Sequence, residues 1–109
     1  MQKTYLFAGA SSAIAIETAK LLQAEGHTVI GLSTKPNHAI YDEWHQVEAY
    51  DFGNFPALTT AIDGLAYFPG TINLKPFARL TAADFNRDLS INALGAVAFT
   101  QAYLGNLKQ

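Results

Sequence analysis

Several short clusters in this 109-residue chain carry groups that can hold or act on a ligand. The first is Gly9-Ala10-Ser11-Ser12-Ala13-Ile14, which joins an apolar run, Thr4 to Ala8, to a helix-forming segment. A helix start presents unpaired backbone N–H groups and the positive end of the helix dipole, and both favour an anion. A strand that enters a tight, small-residue turn and then a helix is the layout of a dinucleotide phosphate site. Gly9 is the turn's one glycine; Ala13 and Ala15 stand at the later positions, each adding a methyl.

The second cluster is Ser33-Thr34-Lys35, at the end of the next strand-like run. NAD sites place an acid about 20 residues beyond the glycines, on the ribose hydroxyl. No acid stands here. Two hydroxyls and an ammonium suit a 2′-phosphate instead, so NADP is expected over NAD; the alternative is a solvated turn. The third is Asp51, a carboxylate that either accepts from an adenine amino group or ends a strand in a turn.

Other chemistries find no residues. The chain lacks cysteine, which removes disulfides, thiolate nucleophiles and cysteine metal sites. His27, His38 and His45 have no metal-ligand spacing and read as surface residues. Asp42 and Glu43 beside Trp44 read as a solvated turn. Neither G-x-S-x-G nor G-x-x-x-x-G-K-[ST] occurs. A net charge of −2 without a basic block argues against nucleic acid and anionic membranes. No apolar run approaches the ~20 residues of a membrane span, and the N-terminal one is too short for a signal peptide, so a cytoplasmic protein is expected.

The elements that must position these groups follow from periodicity. Half the residues are hydrophobic and 15% charged, which suits one compact domain over residues 1–109. Thr4 to Ala8 and His27 to Ser33 read as strands; a helix between them carries Ile14, Thr18, Leu21 and Leu22 on one face. Gly26 is its stop. Val47 to Tyr50 reads as a third strand, Ala57 to Ile62 as a short helix and Leu65 to Phe68 as a fourth strand. A loop over 71–80 leads to a capping-box pattern at Thr81 and Asp84. A long helix then runs from about Ala82 to Leu104, with Phe85, Leu89, Asn92, Ala96, Phe99 and Tyr103 on one face. Alternating strands and helices predict an α/β fold: a Rossmann-like parallel sheet of four strands in order 3-2-1-4, helices on both faces.

In this arrangement the chain resembles the short-chain dehydrogenase/reductase family. A-G-A-S-S-A-I-A, from Ala8 to Ala15, is similar to the family's T-G-x-x-x-G-I-G turn. Asp51-Phe52 resembles the acid and apolar residue that line the adenine. L-A-Y-F-P-G, ending at Gly70, falls where the family has N-N-A-G. F-x-x-x-L-x-I-N-x-x-G-A, from Phe85 to Ala96, is similar to the fourth-helix pattern whose asparagine is here Asn92.

The resemblance implies an oxidoreductase with a nicotinamide dinucleotide at Gly9, Ser11, Ser12, Ala13, Ile14, Ser33, Thr34, Lys35, Asp51, Phe52 and Gly70. It makes Asn92 one member of a catalytic set. Tyr67 and Phe68 replace the two family asparagines that tie neighbouring loops. The family's Ser and Tyr-x-x-x-Lys have no counterpart in these residues; Tyr103 and Lys108 have the wrong spacing. A nucleotide half-site without carbonyl reduction is therefore expected. A non-enzymatic module that pairs with a second copy, through its fourth strand or its last helix, is the alternative expectation. A receiver or flavodoxin-like domain fits less well, because no acid cluster ends the first strand.

Overall fold

The computed structural model describes residues 2–70 and 75–108, so part of the expected 71–80 loop lies outside the described residues. The strands are β1 (Thr4–Ala8), β2 (Thr28–Ser33), β3 (Glu43–Gln46) and β4 (Gly64–Tyr67). The helices are α1 (Ala13–Ala24), α2 (Ala82–Leu89) and α3 (Gly95–Tyr103); a π-helical turn, Ser90–Leu94, joins the last two. The sheet runs β3-β2-β1-β4 with every pair parallel, as expected. In its centre Leu6 lies between Ile30 and Leu65, and Ala8 between Leu32 and Tyr67.

Strand alternation divides the interior into two cores. Leu6, Ile30 and Leu32 point to one face, where Phe99 and Tyr103 of α3 cover them. Phe7 and Val29 point to the other, where Ala15 and Ala19 of α1 cover them. Burying a side chain of the size of Leu6 or Phe99 contributes about 1.5–3 kcal/mol.

The buried stripe of α1 differs from the expected face. Ile14 is 72% and Leu21 71% exposed, while Ala15 and Ala19 are fully buried. Two methyl-sized residues let the helix axis approach the sheet closely. Ile16 and Leu22 then pack at the flanks. Ser12 caps this helix, its Oγ accepting from the Ala15 N–H at 3.2 Å. Gly26, at φ +89°, follows its end.

β3 forms nearer the N-terminus than the expected Val47 to Tyr50, so Asp51 does not end a strand. Glu43-Trp44-His45-Gln46 is polar because it is an edge, and its anchor is one aromatic ring. A Cβ on Gly31 would lie 2.7 Å from Trp44 Cε3, so only glycine lets that ring lie on β2. Asp42, expected in a solvated turn, accepts from the Val29 N–H at 2.8 Å.

No helix forms over Ala57 to Ile62. Tyr103 donates to the Pro56 carbonyl at 2.7 Å. Asn106 Nδ2 donates to the carbonyls of Leu58 and Thr60 at 2.7 and 2.9 Å. Ile62 then pairs in parallel with Leu107. Distant side chains thus take carbonyls that a local helix would use.

The expected long helix is present from Ala82 but is broken in register. Thr81 and Asp84 form a reciprocal capping box at the start of α2. In the π turn the Gly95 N–H bonds the Ser90 carbonyl, one residue further back than in an α-helix. The extra residue turns the downstream face by about 100°. Phe85 and Leu89, upstream, are half exposed, whereas Gly95, Ala98, Phe99 and Tyr103, downstream, are buried. Among the described residues, no helix is long and apolar enough to cross a membrane.

Candidate functional site

The carboxyl ends of β1, β2 and β4 meet at an open cleft of about 490 Å³. The β1–α1 turn builds one wall. Gly9 has φ +72°, a left-handed conformation that favours glycine. A Cβ there would also lie 2.7 Å from Pro69 Cδ. The turn and the segment after β4 are therefore wedged together at this one residue. Ala10 is held beneath: its N–H donates to the Leu32 carbonyl at 3.2 Å, and its carbonyl accepts from the Tyr41 hydroxyl at 2.6 Å. Burial pushes the Tyr41 phenol up to about 12, so it stays a donor.

The end of β2 builds the second wall around one buried hydroxyl. Ser33 Oγ lies 2.9 Å from Ser11 Oγ and accepts from the Lys35 N–H at 3.1 Å. The Tyr50 hydroxyl reaches the same oxygen at 3.4 Å and accepts from the Thr34 N–H at 3.2 Å. These contacts fix the backbone of Thr34 and Lys35 and leave the Lys35 side chain exposed. Of the described residues lining the cleft, Lys35 is the one that is charged. Among the described residues no carboxylate pairs with it.

The third wall is Phe68-Pro69-Gly70, with Ile91 of the π turn facing it. A Cβ on Gly70 would lie 3.3 Å from Asn92 Oδ1, which places that amide beside Gly70. Tyr67, just before this wall, donates to the Ile91 carbonyl at 2.6 Å. Burial, and then the neighbouring Tyr50, push its phenol up to about 12. This hydroxyl ties the end of β4 to the π turn.

Of the residues singled out in the sequence, Gly9, Ser11, Ser12, Thr34, Lys35 and Gly70 line this one cleft. Ala13 and Ile14 open α1 with exposed side chains. Ser33 is fully buried and organises the wall from beneath. Asp51 and Phe52 lie in the turn after Tyr50 and do not line the cleft. Asp51 accepts from the Asn54 side chain. Phe52 lines a separate groove against α3. Sequence reasoning missed Tyr50 and Ile91, neither of which carried a local signal.

The arrangement can receive an anion. Ser11, Ser12, Thr34 and Lys35 line it beside the N-terminal end of a 12-residue helix, which favours negative charge. Among the described residues no acid lines the cleft and no group of side chains is arranged to hold a metal ion.

No family model matches the sequence, and no curated protein matches it. Solved structures do match. A short-chain dehydrogenase family protein from Francisella tularensis is 18% identical with a TM-score of 0.75, over 99% of this chain and 48% of its own. Aldohexose dehydrogenase from Thermoplasma acidophilum, in ligand-free form, is 18% identical with a TM-score of 0.78, over 96% of this chain and 44% of its own. A 3-ketoacyl-(acyl-carrier-protein) reductase from Brucella melitensis, complexed with NADH, is 17% identical with a TM-score of 0.73, over 95% and 50%. The chain thus has the Rossmann-like fold of short-chain dehydrogenases/reductases and spans about half the length of these structures.

Proposed function

We propose that these residues are the nucleotide-binding part of a short-chain dehydrogenase/reductase oxidoreductase, one dinucleotide-binding domain that holds NADP(H) in preference to NAD(H). The observation that carries this reading is the cleft at the sheet's switch point. Among the described residues it joins a helix N-terminus, the hydroxyl-bearing side chains of Ser11, Ser12, Thr34 and Tyr50 and one unopposed cation, without an acid. The pyrophosphate lies over Gly9, Ser11, Ser12, Ala13 and Ile14, at the start of α1. Thr34 and Lys35, braced by Ser33, take the 2′-phosphate. Asp51 and Phe52 lie on the adenine side, and Gly70 stands at the nicotinamide side with Asn92.

The bound dinucleotide supplies the hydride. Carbonyl reduction also needs a proton donor, and the Ser and Tyr-x-x-x-Lys that the resemblance calls for have no counterpart in these residues. These 109 residues alone are therefore expected to bind and not to turn over. The test is titration with NADPH and NADH, by nicotinamide fluorescence or calorimetry. Binding of NADPH ahead of NADH is expected; binding of neither at millimolar concentration overturns the reading.

A second reading, a cytoplasmic module that pairs with its own copy, is favoured by exposed apolar side chains on the last helical stretch. Leu89, Leu94, Val97 and Leu104 are each about half exposed or more. A symmetric dimer would bury them. Light scattering decides: a monomer with a cooperative melt sinks this reading and leaves the nucleotide reading untouched.

A further inference from the structure

We propose that Tyr67 is a positioning residue of the cleft: its hydroxyl, bonded to the Ile91 carbonyl, sets the π turn that brings Ile91 to the cleft wall and Asn92 beside Gly70. The proposal rests on the nucleotide reading for its meaning, and on geometry for its content.

A π turn lengthens the hydrogen-bond step by one residue and is unfavourable without an outside partner. Here a partner exists. Tyr67 donates to Ile91 O at 2.6 Å, a short neutral bond in a site where Tyr67 is half-buried. The ring is held on two further sides, edge-on to Tyr50 at 6.2 Å and tilted against Phe99 at 6.0 Å. The hydroxyl therefore has little freedom to point elsewhere.

The far end of the same turn is shaped to admit it. A Cβ on Gly95 would lie 2.1 Å from the Tyr67 hydroxyl and 2.8 Å from the Tyr50 carbonyl. Any side chain there would expel the phenol. Tyr67 and Gly95 thus act as a matched pair across the turn, with the Gly95 N–H making the defining bond to Ser90. Between them stand Ile91, which lines the cleft, and Asn92, whose Oδ1 faces Gly70. Tyr67 is not itself among the residues that line the cleft; it acts through these two residues.

The substitution Tyr67→Phe removes the hydroxyl and keeps the ring. In this variant the Gly95 amide is expected to leave Ser90 for an α-helical partner. It is read by NMR as a moved Gly95 amide signal together with moved Asn92 side-chain amide signals. The dissociation constant for NADPH is expected to rise about fivefold, the factor that one net hydrogen bond is worth. Ile91→Ala should weaken NADPH on its own, and the two changes together should cost less than the product of their separate factors.

Unmoved signals for Gly95 and Asn92, or fully multiplicative losses, overturn the proposal. Where native protein binds no NADPH, the nucleotide reading falls and the NMR register alone decides the role of Tyr67. Where Tyr67→Phe does not fold, the native protein decides it. A slowly exchanging Tyr67 hydroxyl proton with a cross-peak to the Gly95 α-protons supports the proposal, and its absence overturns it.

Discussion

Gly9 and Pro69 are in such close approach that a β-carbon on the glycine would lie 2.7 Å from the proline Cδ. The two residues belong to the loops after β1 and β4, which leave the same end of two neighbouring strands. Gly9→Ala therefore meets two penalties, a left-handed φ and a steric clash with a rigid ring. We expect a loss of about 2–4 kcal/mol, from the backbone strain and the overpacking together. Urea unfolding midpoints measure it. A change under half a kilocalorie would mean that the two loops part readily.

Lys35 offers a direct test of cofactor choice. It is exposed, and among the described residues its ammonium has no carboxylate partner, so its removal should barely touch stability. Lys35→Ala is expected to weaken NADPH by about tenfold, the scale of one charge-assisted contact, and to leave NADH nearly unchanged. The NADPH effect should shrink as salt rises. Equal losses for both nucleotides would remove the 2′-phosphate role.

Asp63 carries the acid side of stability. Its carboxylate accepts from the Thr4 N–H at 2.8 Å while its own N–H donates to the Thr4 carbonyl at the same distance. The Thr4 N–H, and secondarily the Lys108 ammonium, hold its carboxyl below the usual carboxylate range. A folded value below the unfolded one contributes stability that is present above the unfolded value and lost as pH falls through the folded one. The native chain should therefore lose stability as pH falls below about 4, the ordinary aspartate value. Asp63→Asn should flatten part of that slope. An unchanged slope in chemical denaturation across this range would exclude Asp63 as its source.

The alkaline side belongs to three phenols. Burial pushes Tyr41, Tyr67 and Tyr103 up to about 12. A folded value above the unfolded one contributes stability that is complete below the unfolded value, about 10, and fades as pH rises toward the folded one. Phenolate absorbance should accordingly show these three titrating late, together with the loss of helical circular dichroism. Titration of all five tyrosines near 10 in a folded protein would contradict the buried geometry.

The parts of this fold that were legible in the sequence are those whose cause is local. β1 is a continuous apolar run, the turn after it needs Gly9, and Thr81 and Asp84 form the capping box that their pattern predicts. The strand order followed from the alternation of elements. What was not legible is set by partners far along the chain. Asp42 and Glu43 beside Trp44 read as a solvated turn until Trp44 has Gly31 to rest on. Ala57 to Ile62 reads as a helix until Tyr103 and Asn106 claim its carbonyls. The π turn has no signature in a single sequence, because its partner is a hydroxyl 24 residues away. In the cleft, the turn residues were visible by type. Tyr50 was not, since an aromatic residue near a strand end usually reads as core.

The sheet also acts as a partition. Leu6 and Phe7 are joined by one peptide bond, yet they belong to separate interiors, one sealed by α3 and the other by α1. A void opened on the Leu6 side cannot be filled by side chains on the Phe7 side, because a hydrogen-bonded layer stands between them. Damage on opposite sides should then accumulate independently, and damage on one side should compound or compensate locally. For evolution this means that each interior drifts on its own account. The wall around Phe99 and Tyr67, which backs the π turn, is then expected to keep its shape when a substitution is made in the alanine-lined interior behind α1.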